Sequence, residues 1–279
     1  MRFMMKTKIL VLLTLIVLVM PLKAQDEDTL CATRLMVMYE LTYREDTNHL
    51  DRAKTEQMML LIGDDVSFFQ SYTAYRVLKN LRRAMQDGVF AKQYNVKQED
   101  IPRYQYKVYK NHPKGKVTMM DRVLMSGTFL YEEDYPAMTW EYTEDTATIA
   151  GHFTQKAVCD YGGRTWEAWF APDQPFNDGP YKFCGLPGLI IKVADTQDHY
   201  RFEMLSAEIP EEMFILWDDK DCVRTTKKAF FKAYDDNMAN IIENGMERIT
   251  PVDGNTNDIQ HRLYLYAKTK NNPIELDRR

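Results

Sequence analysis

Serine is scarce in this 279-residue chain, with Ser67, Ser71, Ser126 and Ser206 its only four. None stands in the Gly-x-Ser-x-Gly pattern that holds a nucleophile on a sharp strand-to-helix turn. Ser126, in Leu-Met-Ser-Gly-Thr, is the nearest case, which leaves a hydrolase as the weakest of the function classes considered. The five histidines, His49, His112, His152, His199 and His261, lack the His-x3-His spacing of a zinc-protease helix. Asp253 to Asp258 opens like a calcium loop, but it has no glycine at the sixth position and Tyr264 where a bidentate glutamate belongs. Basic residues are outnumbered, 36 against 41 acidic, so nucleic-acid binding, which needs clustered Lys and Arg against phosphates, is not expected. No internal repeat stands out, and no cofactor is implied.

The one long apolar run, Ile9 to Met20, is short for a membrane span of about 20 residues. Arg2, Lys6 and Lys8 precede it and Pro21-Leu22-Lys23-Ala24 follow, which is the layout of a secretory signal peptide. Cleavage after Ala24 removes four basic and no acidic residues and leaves 25–279 with a net charge near −9. The expectation is a single exported domain, periplasmic or secreted, without an integral membrane segment. In that compartment the four cysteines suggest one or two disulfides. Cys159 with Cys184 is the preferred pair because they flank a hairpin; the alternative is free, buried thiols.

Strand signals dominate. A long strand is expected over Ala32 to Arg44, and Met58 to Ile62 with Val66 to Gln70 forms a hairpin turned at Gly63-Asp64-Asp65. Tyr72, Tyr75, Leu78, Leu81 and Met85 recur at helical spacing from Ser71 toward Gly88. Short strand-like pieces then follow at 104–109, 117–120, 128–131, 139–142 and 147–149. In Lys156 to Phe170, Gly162 and Gly163 can supply both positive-φ positions of a type I′ turn. Counting back from the tip pairs Tyr161 with Arg164, Cys159 with Trp166, Ala157 with Ala168 and Lys156 with Trp169. Ile190 to Ala194 with Tyr200 to Leu205 makes a second hairpin. Between the two, Pro187 and Gly188 meet the φ demands of a type II turn, from which Leu189 leaves in a buried strand. Thr225 or Thr226 caps a helix that ends at Asn244-Gly245. Residues 250 to 260 read as a loop and His261 to Lys268 as a last strand. The fold class is α+β: mainly an antiparallel β meander, as a curved sheet or half-barrel, packed against one or two helices.

Gly185-Leu186-Pro187-Gly188-Leu189-Ile190 spells the motif of the GLPGLI family of exported Bacteroidetes proteins, which this chain resembles. The likeness extends to Gly163-Arg164 with Ala168-Trp169-Phe170, to Gly179-Pro180 with Lys182-Phe183, and to Asn272-Pro273-Ile274-Glu275-Leu276. The resemblance brings no known reaction. At fold level the meander is similar to the half-barrel of periplasmic lipoprotein carriers.

Tyr161, Arg164, Trp166, Trp169, Phe176 and Tyr181, with Leu186 and Leu189, group aromatics and one cation around two turns. Such a group can line a concave apolar site; the plainer reading is that Trp166 fills the core and Trp169 is shielded by Lys156. The leading expectation is a non-enzymatic envelope protein that binds an apolar or amphipathic ligand, or an envelope protein partner. Seventeen methionines give the alternative of Met/Cys-based copper handling, since soft thioethers suit Cu(I). Met36 and Met38, Met58-Met59 and Met119-Met120 nevertheless sit in strand-like runs where core packing is the common use. Two carboxylate runs, Glu132-Glu133-Asp134 and Asp218-Asp219-Asp221, could do acid/base work or form a solvated face.

Overall fold

The computed structural model describes residues 28–88, 101–124, 126–135, 138–243 and 256–277. The expected signal peptide and the Asn244-Gly245 helix stop lie outside them; the helix expected to run from Thr226 to that stop ends at Ala239, with Asn240 as its C-cap. The described residues form fourteen strands: β1 (Asp28–Ala32), β2 (Leu35–Tyr43), β3 (Lys54–Ile62), β4 (Ser67–Ser71), β5 (Lys107–Lys110), β6 (Lys116–Val123), β7 (Gly127–Asp134), β8 (Glu141–Ile149), β9 (His152–Tyr161), β10 (Arg164–Ala171), β11 (Leu189–Asp195), β12 (Tyr200–Glu208), β13 (Phe214–Trp217) and β14 (Cys222–Arg224). The helices are α1 (Tyr72–Gln86), α2 (Lys227–Ala239) and α3 (Thr256–Thr269).

Twelve strands form one sheet in the order β14-β7-β6-β5-β4-β3-β2-β12-β11-β10-β9-β8, and β1 pairs with β13 in a separate ribbon. Every neighbour in the large sheet is antiparallel except β14 on β7. The α+β class and the meander are as the sequence implies. Tyr131 of β7 and Trp166 of β10, far apart in that order, share one buried cluster, so the sheet curves around its inner face. Period-two alternation sends neighbours to opposite faces. Met58 and Leu60 therefore enter the inner core, while Met59 and Leu61 enter a second, outer core with Tyr109 and Ile215. The β1–β13 ribbon and Tyr72 and Tyr75 of α1 cover that outer core; α2 brings Phe230 to the inner one.

The 9–10 hairpin has the expected register, Tyr161 opposite Arg164, Cys159 opposite Trp166 and Lys156 opposite Trp169, with φ of +61° at Gly162 and +77° at Gly163. Ser71 caps α1, its Oγ accepting the Ala74 N–H, and Thr226 caps α2 by the same device on Ala229.

Three expectations are corrected. Residues 256–260, expected as loop, and 261–268, expected as a strand, all belong to α3: Tyr264, Leu265 and Tyr266 satisfy β-propensity, but no sheet edge takes them. The Leu-Pro-Gly corner is tighter than a type II turn, with the Gly188 N–H donating to Leu186 O at 2.8 Å around a single central proline. Glycine is required at 188 above all by space, because a Cβ there would run into the Ala171 carbonyl. Finally, all four cysteines are free thiols. Cys159 faces Trp166 across β9–β10, whereas Cys184 lies in the loop before the corner, bridged to Asp178, so flanking the hairpin in sequence does not bring the two sulfurs together.

Candidate functional site

Lys182 is the most deeply placed charge, with none of its surface exposed. Its ammonium donates to Glu275 Oε1 at 2.6 Å and Tyr131 Oη at 3.2 Å, and also to Glu133. The rings of Tyr131, Tyr161 and Tyr181 stand 5.1, 5.9 and 5.4 Å from it. Glu275 Oε1 also accepts Tyr181 Oη at 2.6 Å and Tyr161 Oη at 3.3 Å. Its Oε2 faces Lys227 Nζ at 2.7 Å as an ion pair without hydrogen-bond alignment. Lys227 in turn donates to Glu133 Oε1 at 2.7 Å. Burial works against the charged form of Glu275, but Lys182 and Lys227 outweigh it and hold the carboxyl at about 2. Burial works against charged Lys182 as well, yet Glu275 and the tyrosines raise it well above the ordinary lysine value. A lysine held protonated offers no lone pair, so it serves as a charge and not as a nucleophile or base.

A second buried cation secures the same C-terminal segment. Arg164 donates from Nε to Ile274 O at 3.0 Å, from Nη2 to Asn272 Oδ1 at 2.6 Å and Pro273 O at 2.7 Å, and from Nη1 to Asp195 Oδ2 at 2.7 Å. The planar fork lets one side chain make this set. At the hairpin tip, Gly162 O accepts the N–H groups of Leu276 and Asp277 at 2.6 and 3.0 Å. A Cβ on Gly163 would lie 2.8 Å from Asp277 N, so the paired glycines serve both the turn and the docking of 272–277.

With that segment in place, a cleft of about 110 Å³ remains between the inner face of the sheet, α2 and residues 272–275. Its sheet side carries Tyr104, Tyr106, Met119 and Tyr131; Phe230, Phe231 and Tyr234 come from α2, and Tyr181 and Tyr200 close it. Tyr104 and Tyr43 meet edge to face at 4.9 Å, and Tyr106 and Tyr181 at 5.4 Å. Tyr200 Oη is spent on Asn272 O at 2.6 Å. The Tyr106 hydroxyl, in a residue 3% exposed, has no hydrogen-bond partner. Asp121 adds a half-buried carboxyl that burial pushes up to about 6, with the Arg122 amide, Lys270 and Lys182 only partly opposing that rise. Beside Asp121 lies an outer chamber of about 200 Å³ that shares part of the cleft's wall and is lined in addition by Arg103, Arg122 and Tyr266.

Of the eight side chains grouped from the sequence, Tyr181 alone lines this cleft. Trp166, Leu186 and Leu189 are core residues, Trp166 packing on Phe183 at 4.6 Å and donating Nε1–H to Tyr161 O at 3.0 Å. Tyr161 and Arg164 belong to the ionic clasp. Trp169 is half-buried with Lys156 Nζ 5.9 Å above its ring, and Phe176 borders a different depression, beside Lys110. Sequence reading anticipated α2 as a helix but missed its Phe230, Phe231 and Tyr234 as cleft residues, together with Tyr104, Tyr106 and Asp121. Tyr104-Gln-Tyr106 was visible as a strand-like piece, but nothing local says that two tyrosines spaced by two share the inner face with a distant helix.

Other candidates resolve plainly. Met58 and Met119 point inward, whereas Met36, Met38, Met59, Met120 and Met213 belong to the outer core with Phe68, Tyr109 and Ile215, a setting that apolar packing accounts for. Among the described residues no group of three or more His, Cys, Asp or Glu is placed to hold a metal. Ser126 Oγ takes a hydrogen bond from the Asn237 amide nitrogen at 3.2 Å, a donor that cannot act as a base. Glu133 joins the clasp, while Asp134 pairs with Lys116 at the surface.

Fold and cleft together define an α+β protein with a curved antiparallel sheet closed over an aromatic chamber. Residues 94–192 match the model of a family described as "Protein of unknown function (Porph_ging)", a span that contains the Gly185–Ile190 motif. No curated protein matches the sequence. Among solved structures the chain is similar to PNGF-II in the P21 space group, with a TM-score of 0.49 at 12% identity over 73% of this chain and 33% of that one. PNGF-II in the C2 space group gives 0.46 at 15% identity, over 74% and 32%. The chain thus spans about a third of the length of those structures. Among the described residues no helix is long and apolar enough to cross a membrane.

Proposed function

We propose that this is a GLPGLI-type exported protein, periplasmic or secreted, that binds an amphipathic ligand in the tyrosine-lined cleft without transforming it. The observation that carries the reading is the Tyr106 hydroxyl, buried in an aromatic chamber with no partner of its own. A buried unpaired hydroxyl costs about 1–3 kcal/mol, and a ligand bearing a polar atom would remove that penalty. Chamber size suits one ring or a short branched chain: a cavity of about 150 Å³ accepts benzene. Polarity graded from Phe230 inward to Asp121 and Lys270 outward suits a ligand with two unlike ends. Ile274, half-buried on the cleft wall, gives the test. Native mass spectrometry of protein isolated from its own envelope should show a small bound species that Ile274→Trp, which fills the chamber, abolishes while the fold is retained. A wild-type protein that carries nothing and gains no melting temperature from any ring-sized amphiphile would end the reading.

A further inference from the structure

We propose that the outer chamber is a head-group site for an anion: Arg103, Arg122 and Lys270 hold the charge, while a ring-sized apolar end sits against Tyr106, Tyr131 and Phe230. The inference rests on the binding reading above and names the ligand class for the same cleft.

The two chambers adjoin, sharing Tyr104, Asp121, Tyr234 and Lys270 as walls. Charge within them is unevenly answered. Glu133 and Glu275 are matched by Lys182 and Lys227, and Glu45 by Lys54 and Lys270. Arg103 and Arg122 are left: among the described residues neither guanidinium is in a salt bridge, and Asp121 is the one carboxyl on the outer chamber's own wall, although Glu56 acts on Arg103 from behind and Asp218 and Asp221 border a neighbouring depression with Arg122. In a chain with a net charge of −5, a local surplus of cations at the mouth of an apolar cleft runs against the overall balance. Two guanidinium forks can each grip a carboxylate or phosphate through paired N–H groups.

The mouth is also built and not merely decorated. Glu56, 7% exposed, accepts Ser71 Oγ at 2.5 Å through Oε1, and the backbone N–H groups of Arg103 and Tyr104 at 3.0 and 3.3 Å through Oε2. A buried carboxylate therefore fixes the backbone from which Arg103 projects outward and Tyr104 inward. Arg122 follows Asp121 on β6, on the opposite face of the strand; it borders the outer chamber and not the inner one, and also a neighbouring depression that holds Asp218 and Asp221. Lys270 follows α3 directly and lies 3.5 Å from Glu45, so its charge is only loosely committed.

Isothermal titration of the purified protein with 4-phenylbutyrate, phenyl phosphate, 4-phenylbutanol and 4-phenylbutylamine tests the inference. Both anions should bind at least roughly tenfold more tightly than the alcohol and the amine, the tighter of the two naming the head group. The double variant Arg103→Ala with Arg122→Ala, both exposed positions, should weaken the anions by a similar factor and narrow their gap to the alcohol. Should the alcohol match the anions, the amine be preferred, or the double variant bind like wild type, the head-group site is refuted while the cleft reading stands. Failure of all four probes to bind removes both.

Discussion

Lys182 and Glu275 lie 93 positions apart in the chain, yet their charged atoms meet at 2.6 Å with both side chains almost wholly out of water. Removing one member of such a pair strands the other in a low dielectric, at a cost of about 3–5 kcal/mol. Glu275→Leu should therefore cost about 3 kcal/mol, moderated by Glu133, whereas Lys182→Met combined with Glu275→Leu should recover most of that loss. Urea midpoints for the two single variants and the double variant would measure the coupling; additive effects would show that the pair is not one unit.

Acid should act on the clasp and the cleft in opposite senses. Glu275 has a folded value of about 2 against an ordinary 4.5, so its stabilisation is full above pH 4.5 and is lost as pH falls toward 2. Asp121 is raised from 3.8 to about 6, so its contribution is full below pH 3.8 and is lost as pH rises through 6. Asp121→Asn should thus be more stable than wild type at pH 7 and no more so at pH 3.5. Unfolding curves at the two pH values decide it, and a variant that tracks wild type at both would show that Asp121 is hydrated like a surface carboxyl.

Gly188→Val should destabilise by about 2–3 kcal/mol, because the added atoms meet the Ala171 carbonyl at a backbone φ of +154° that side chains avoid. An unchanged melting temperature would show that the corner can relax.

Arg164→Lys keeps the charge but not the fork, so at most one or two of its hydrogen bonds to 272–274 and Asp195 survive. Amide exchange across 272–277 should speed up by roughly tenfold or more, reported by mass spectrometry, while exchange in β3 stays slow. Equal protection in wild type and variant would assign the docking of this segment to the Gly162 carbonyl and the Glu275 clasp without Arg164.

Thiol reactivity should sort the cysteines by burial. Burial pushes Cys159 and Cys184 up to about 12, so at neutral pH they are protonated as well as shielded. A disulfide-exchange reagent should label half-buried Cys31 and Cys222 first and all four only in denaturant. Recovery of Cys159 linked to Cys184 by peptide mapping would overturn the free-thiol assignment.

The hairpin of β9 and β10 was legible residue by residue, since two adjacent glycines fix its register; α1 was legible from the helical spacing of Tyr72, Tyr75, Leu78, Leu81 and Met85, and α2 from a cap at Thr225 or Thr226. The helix at 256–269 was not: aromatic and branched residues imitate a strand when nothing in the sequence says that no edge awaits them. For the site, local aromatic density pointed to Trp166 and Leu189, which turned out to fill the core. The true lining is assembled from Tyr104, Tyr106, Phe230 and Ile274, which lie far apart along the chain. Arg164, Lys182 and Glu275 each stood within a quoted motif segment, but their meeting is a property of the curved sheet and not of any segment.

Because the tip at Gly162 and Gly163 receives a segment from more than a hundred positions downstream, its closure belongs among the last steps of folding. Ordering so large a loop carries an entropic cost that grows only slowly with length, but contacts of this sequence separation lower the folding rate. With 272–277 undocked, Lys182 would keep Glu133 as its one carboxylate partner and lose Glu275, so the arrival of this strip is what takes the lysine fully out of water.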